Sequence, residues 1–186
     1  MTTVFKNQIQ NNLGPTASVT VTATQASTPS AGSVTYTFAT QTTALFPVGS
    51  YILISGSSVS GYNGTFGPVT ASTTGSVTVA NTTTGAATGG TISNVFWSTN
   101  PSAKTTVIGF SLTNTTGYLV TANVQISDTV AGTTANYINN VPVPANQSLR
   151  IVTGGEKLIL GPSTNVIVSS NQSSSLDALL SFVEIS

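Results

Sequence analysis

Asp128, Glu156, Asp177 and Glu184 are the only carboxylate side chains in this sequence, and its 186 residues include no histidine and no cysteine. Two carboxylates facing each other across a cleft would suit glycoside hydrolysis, but local patterning gives these four blander roles. Asp128 follows a strand-like run in a turn, Glu156 adjoins Lys157 after two glycines, and Asp177 and Glu184 lie beside the last apolar run. Surface or interface charges are the expectation. Serines abound, yet a hydroxyl needs a neighbouring base to become a nucleophile. Ser102 with Lys104 is one such pairing on paper, and it falls in a linker-like segment. Gly89-Gly90 and Gly154-Gly155 lack the spacing and helix entry of a phosphate loop. Calcium and zinc require clustered oxygen, imidazole or thiolate ligands. The chain is therefore expected to be non-catalytic, with no catalytic residue, no cofactor and no metal.

Charge excludes further classes. Charged residues make up 4% of the chain, against about 25% in soluble domains, and Ser with Thr supply roughly a third of it. The four cations, Lys6, Lys104, Arg150 and Lys157, are scattered and balanced by the four anions, so no basic patch for nucleic acid is expected. A chain of zero net charge has little to keep copies apart, which favours life in an assembly. The opening MTTVFKNQIQNN lacks the apolar segment of a signal peptide, and no apolar run approaches the ~18 residues of a membrane span. Neither membrane association nor signal-peptide secretion is expected. With 39% hydrophobic residues the chain can still build a core, held by packing and sheet hydrogen bonds because no disulfide is possible.

Strands must do the positioning. Thr and Val alternate in SVTVTAT (18–24) and SVTYTF (33–38), a period of two in β-branched residues that fit a pleated surface. The first dozen residues and Ser174 to Leu180 are the best helical candidates, and neither supports a helical domain. From Thr105 onward the strands are clearest. Val107 to Leu112 and Val120 to Ile126 flank an NTTG turn as a hairpin, followed by runs at 135–141, 148–152, 157–160, 165–169 and 179–185. Pro142 and Pro144 suit an edge or a crossing between sheets. Strands at this spacing predict an all-β fold, an immunoglobulin-like or jelly-roll β-sandwich. The middle is richer in glycine, with short runs at 33–39, 51–55, 64–71, 76–80 and 88–93 and a primed-turn signal at Asn63-Gly64. It predicts a small SH3-like or OB-like barrel. The preferred organisation is a sandwich assembly domain of residues 1–24 plus 97–186 with an inserted small β-barrel domain of 25–96. Its boundaries fall in the loops at 25–32 and 98–104; one continuous β-protein or two successive domains are the alternatives.

TTVIGFSLTNTT (105–116), VPVPANQSLRIVTGGEKLILGPSTNVIVSS (141–170), the closing LLSFVEIS and the opening TTVFKN together resemble small virion structural proteins of tailed bacteriophages, particularly those of marine and cyanobacterial phages. In similar proteins the N-terminal strand runs almost directly into the VIG strand, so the resemblance implies that about 70 residues here are an insertion, marked by FPVGSYILISG and GYNGTF. It implies a virion component assembled in the host cytoplasm. Its partners would be other virion proteins, the major capsid protein foremost, together with further copies of the chain. A capsid decoration or cement protein is the leading expectation, a neck, tail or baseplate module the alternative, and a host-surface glycan-binding module the third.

Aromatic and apolar side chains are the candidate contacts, since large rings anchor cores and interfaces. Val4, Phe5 and Ile9 could anchor an N-terminal arm or lie in a first strand. Phe96-Trp97 sits where the insertion rejoins the sandwich and could wedge the domains together. Tyr118 and Tyr137 complete the interface candidates. For the glycan reading, Tyr62, Phe66, Tyr118 and Tyr137 would supply flat rings to stack on sugars.

Overall fold

The computed structural model describes residues 2–25 and 32–186. The chain divides into two compact units, Met1–Thr16 with Phe96–Ser186, and Ala17–Val95. All regular structure among the described residues is β apart from one 3-10 turn, Ser60–Tyr62, and no helix there is long and apolar enough to cross a membrane.

The first unit is a sandwich of two antiparallel sheets. One contains β1 (Thr3–Leu13), β10 (Lys104–Asn114), β13 (Ser148–Val152), β14 (Leu158–Leu160) and β16 (Leu176–Ile185). Its order is β1-β16-β10, with β13 and β14 sharing the far edge of β10, one opposite Phe110–Thr113 and the other opposite Thr105–Val107. The second sheet contains β9 (Trp97–Ser98), β11 (Val120–Asp128), β12 (Thr133–Val143) and β15 (Thr164–Ser170), in the order β12-β11-β15-β9. Alternate residues of the long strands face inward: Val107 and Leu112 of β10, Leu176, Ala178, Leu180 and Phe182 of β16, and Val120, Ala122 and Val124 of β11. The layers meet where the Trp97 ring of β9 packs on Phe182 of β16, centroids 4.4 Å apart, and Phe96 stacks on Phe110 at 5.8 Å. β12 is the end strand of its sheet, so Pro142 occupies an edge as expected, and Pro144 lies in the connection that carries the chain across to β13 in the other sheet.

The second unit holds β2 (Ser18–Gln25), β3 (Ser33–Phe38), β4 (Tyr51–Ser55), β5 (Gly64–Phe66), β6 (Val69–Ser72), β7 (Ser76–Ala80) and β8 (Thr91–Val95), ordered β5-β4-β8-β2-β3-β7-β6. β2 serves two partners, pairing β8 through Ser18–Thr20 and β3 from Val21 onward. A single strand thereby turns the sheet around a core of Val34, Tyr36, Phe38, Ile52, Tyr62 and Ile92, among others. Tyr36 meets Tyr62 edge-on at 6.2 Å, and Phe38 meets Phe46 at 5.5 Å.

Several expectations need correction. The runs flanking the NTTG turn do not form a hairpin: β10 pairs with β13, β14 and β16 and β11 with β12 and β15, so the turn carries the chain from one sheet to the other. The inserted unit is not a closed barrel: its hydrogen-bonded strand path is open, and β6 meets the segment before β4 through Val69 N to Ser50 O (2.7 Å) and Gly49 N to Val69 O (2.9 Å). The division falls at 16/17 and 95/96, so β2, expected to pair back onto the sandwich, belongs to the middle unit, where both its neighbours lie. Most of the expected boundary loop at 25–32 lies outside the described residues. Both helical candidates are extended: the first dozen residues form most of β1, and Leu176 onward belongs to β16. β1 is exposed over most of its length, and a strand wet on both faces has no reason to alternate. Asn63 is extended at φ −92 and only Gly64 has a positive φ, so no primed two-residue turn forms there. The Asn63 side chain instead spans the connection, accepting from Ser57 N at 2.8 Å and donating to Ser57 O at 3.0 Å.

Candidate functional site

Cross-strand partners point to the same face of a sheet, so register decides which side chains share a surface. With Leu176, Ala178, Leu180 and Phe182 of β16 committed to the core, Leu179, Ser181 and Val183 face outward. Phe5 stands opposite Val183, which stands opposite Thr106, which stands opposite Ile159 of β14, making one outward row across four strands. A second row runs Ile9, Leu179, Ser111, Arg150. Phe5 is 74% exposed, Ile159 71% and Ile9 64%. Three large apolar side chains in open solvent on one pleated surface exceed the scattered single residues that need no explanation.

A bulge shapes the middle of this face. Val107 pairs with Phe182 and Gly109 with Ser181, so Ile108 is the extra residue. An inserted residue breaks the period of two. It turns Ile108 outward, and it leaves Gly109, with no side chain, on the same side. The result is a hollow of about 270 Å³ lined by Ile108, Gly109, Ser111, Arg150, Leu179 and Ser181, among others.

Electrostatics around it are sparse. Lys6 and Glu184 form the one ion pair among the described residues, at 2.5 Å, with Glu184 nearly buried. Each of the other carboxylates holds local backbone or a neighbouring hydroxyl: Asp128 accepts from Val130 N and Ala131 N in the β11–β12 turn, Asp177 from Asn12 N, and Glu156 from the Thr153 hydroxyl. Asn114 organises the interior. Fully buried at the end of β10, it donates to the carbonyls of Tyr118 (2.8 Å), Val143 (2.9 Å) and Pro144 (3.1 Å), and its oxygen accepts from Thr116 N and Oγ1. One side chain thus ties the first sheet to the end of β12. In the second unit, burial pushes the Tyr36 hydroxyl up to about 12, only partly offset by its hydrogen bond from Asn81.

The predicted contact residues separate into two groups. Val4, Phe5, Ile9, Tyr118 and Tyr137 are exposed. Phe5 and Ile9 share the outer sheet face, Tyr118 lies in the β10–β11 turn beside exposed Leu119, and Tyr137 is on β12. Phe96 and Trp97 are buried among side chains of the sandwich, the tryptophan at 3% exposure, so neither is offered to a partner. The glycan platform loses Tyr62, which is fully buried with its hydroxyl donating to Thr83 O and Gly85 O. Sequence reasoning missed Ile108, Ile159 and Leu179 as surface residues. The signal for Ile108 was present: Val107-Ile108 followed by Gly109 interrupts the alternation.

Comparison of the chain with protein-family models, with curated proteins and with solved structures finds no match.

Proposed function

We propose that this chain is a non-catalytic structural protein of a bacteriophage virion, a capsid decoration or cement protein whose sandwich unit grips neighbouring subunits. The observation that carries the reading is an asymmetry of surface. Every large exposed apolar side chain among the described residues, Val48 excepted, belongs to the sandwich unit: Val4, Phe5, Ile9, Ile108, Tyr118, Leu119, Val130, Tyr137, Ile159 and Leu179. A unit that keeps so much apolar surface while the whole chain carries eight charges is suited to permanent, dry contact. The likeness of its strands to phage virion proteins supplies the setting, and the major capsid protein is the partner such a surface would meet.

Apolar contact is also the larger available force. Exposed ion pairs contribute about 0–1 kcal/mol each, whereas burying apolar area yields about 25 cal/mol per Å² before association costs. Electron cryo-microscopy of purified particles carrying a labelled copy tests the assignment. Label distributed over the shell at hundreds of copies supports it; label confined to the neck or tail replaces cement with a tail module, and an unlabelled particle overturns both.

A further inference from the structure

We infer that two copies of this chain dock face to face through the outer surface of the β1-β16-β10 sheet, the Phe5 ring of each filling the hollow over Gly109 of the other. This rests on the reading of the sandwich as an assembly unit and names the surface it uses first.

Three observations select a second copy as the occupant. The face carries both halves of a contact, since Phe5 projects into solvent from the row of Val183, and the hollow beside Ser181 and Leu179 opens on the same side two strands away. A two-fold axis lying in the plane of the contact exchanges any two points of one face, so ring-into-hollow contact forms twice, as an isologous interface requires. Size agrees: a cavity of 150 Å³ holds a benzene ring, and the hollow here is about 270 Å³. Area agrees too. At roughly 200 Å² for a fully exposed large side chain, Phe5, Ile9, Ile108, Ile159 and Leu179 offer about 600 Å² at their exposures. Two copies would bury about 1,200 Å², the lower bound for a specific stable interface, before half-buried Val183 and Ile185 are added. With a net charge of zero, identical faces meet without long-range repulsion.

The hollow can be filled without touching the core. A Cβ on Gly109 would meet only the Ser181 Cβ, at 3.8 Å, and Gly109 has no positive φ, so Gly109→Leu grows into the space reserved for the partner's ring. Phe5→Ala removes the ring from an exposed position and leaves the fold intact. Because both rings anchor one dimer, each substitution is expected to weaken association on the order of 1,000-fold, as for two central interface residues. Val48→Ser, at a position 65% exposed in the second unit, is expected to change nothing.

Sedimentation velocity over a concentration series reads all four proteins. A wild-type dimer lost in Phe5→Ala and in Gly109→Leu supports the inference, while a wild-type monomer, or an oligomer that survives either substitution, overturns it. A monomer in solution with label on the particle sinks the dimer and leaves the virion assignment standing. A dimer of this geometry with unlabelled particles does the reverse.

Discussion

Replacing Asn114 by Asp is the sharpest test of how the sandwich is held together. The exchange keeps the shape and turns an amide donor into an oxygen that faces the carbonyls of Tyr118, Val143 and Pro144, all within 3.1 Å of the present nitrogen. The Tyr118 carbonyl keeps the Thr116 hydroxyl as a donor at 3.0 Å, but each buried acceptor left without a donor costs about 1–3 kcal/mol, and an anion with no water around it adds repulsion from the facing oxygens. A loss of about 4 kcal/mol at neutral pH follows, a large share of the stability of an ordinary domain. The variant carboxyl would have its pKa raised in the folded state by burial and by the carbonyls. Its stability deficit is therefore smallest below the unfolded value near 4 and grows as pH rises through the folded value. Asn114→Ala, which removes the donors without adding charge, is expected to cost less and to show no such slope. Urea unfolding followed by tryptophan emission reads this directly, because Trp97 is the only tryptophan and is buried against Phe182 in the sandwich. A deficit below about 1 kcal/mol for Asn114→Asp at pH 7, or one independent of pH, would refute the account of Asn114 as a donor hub, since a single net hydrogen bond is worth about that much.

Other perturbations address the second unit and the contacts. Tyr36 stays protonated to about pH 12 in the fold against 10 unfolded, so its contribution is complete below pH 10 and is lost between 10 and 12, on the order of 2–3 kcal/mol. Tyr36→Phe should flatten that alkaline limb in unfolding curves followed by near-ultraviolet dichroism, and an unchanged limb contradicts the burial argument. Gly67→Ala puts a Cβ 2.6 Å from Cδ1 of Tyr51 and 3.1 Å from Ser50 O, whereas Gly117→Ala meets nothing within 4 Å. The first is expected to lower the unfolding midpoint by an equivalent of about 1–3 kcal/mol and the second to leave it in place. Association of the wild-type chain should change less than about twofold between low and high sodium chloride, because screening acts on exposed charges and the outer face holds few; a tenfold release by salt would point to an ionic contact.

How far the residues announced this structure depends on which side of each strand is wet. Where one face is buried, alternation is sharp, and the runs at 51–55, 76–80 and 148–152 coincide with β4, β7 and β13 to the residue. Where both faces are wet, as along β1, the pattern TVFKNQIQNNL carries no period, and only the ladder to β16 makes it a strand. The 64–71 run divides into β5 and β6 at Gly67-Pro68, because proline has no amide to give a ladder. Of the contact surface, exposed Phe5 and Ile9 were legible as large apolar residues in a polar segment. Ile159 and Leu179 were not, since nothing local distinguishes an outward residue in LIL or ALL from an inward one until register is known. Phe96 and Trp97 failed as contacts for the converse reason. Aromatic residues suit cores and interfaces alike, and only their partners, Phe110 and Phe182, decide between the two.

The end strands bear on which surface would join subunits in the proposed assembly. β1 and β12 are each eleven residues long, end their sheets, and carry a single charge between them, Lys6, which is held by Glu184. Long edges without charge invite pairing with another chain. Both are interrupted by irregularities: the register of β1 shifts between Gln10 and Leu13 beside Asn12 at φ 59, and that of β12 shifts near Asn140 at φ 51 with Pro142 beyond it. Bulges bend and twist an edge away from a flat partner, and proline withholds a donor. The edges are thus disfavoured as docking lines while the outer face of β16 and its neighbours keeps its apolar side chains uncovered. The proposed assembly would therefore run through faces rather than by strand addition, and side-chain substitutions such as Phe5→Ala, not backbone competitors, are expected to control the association.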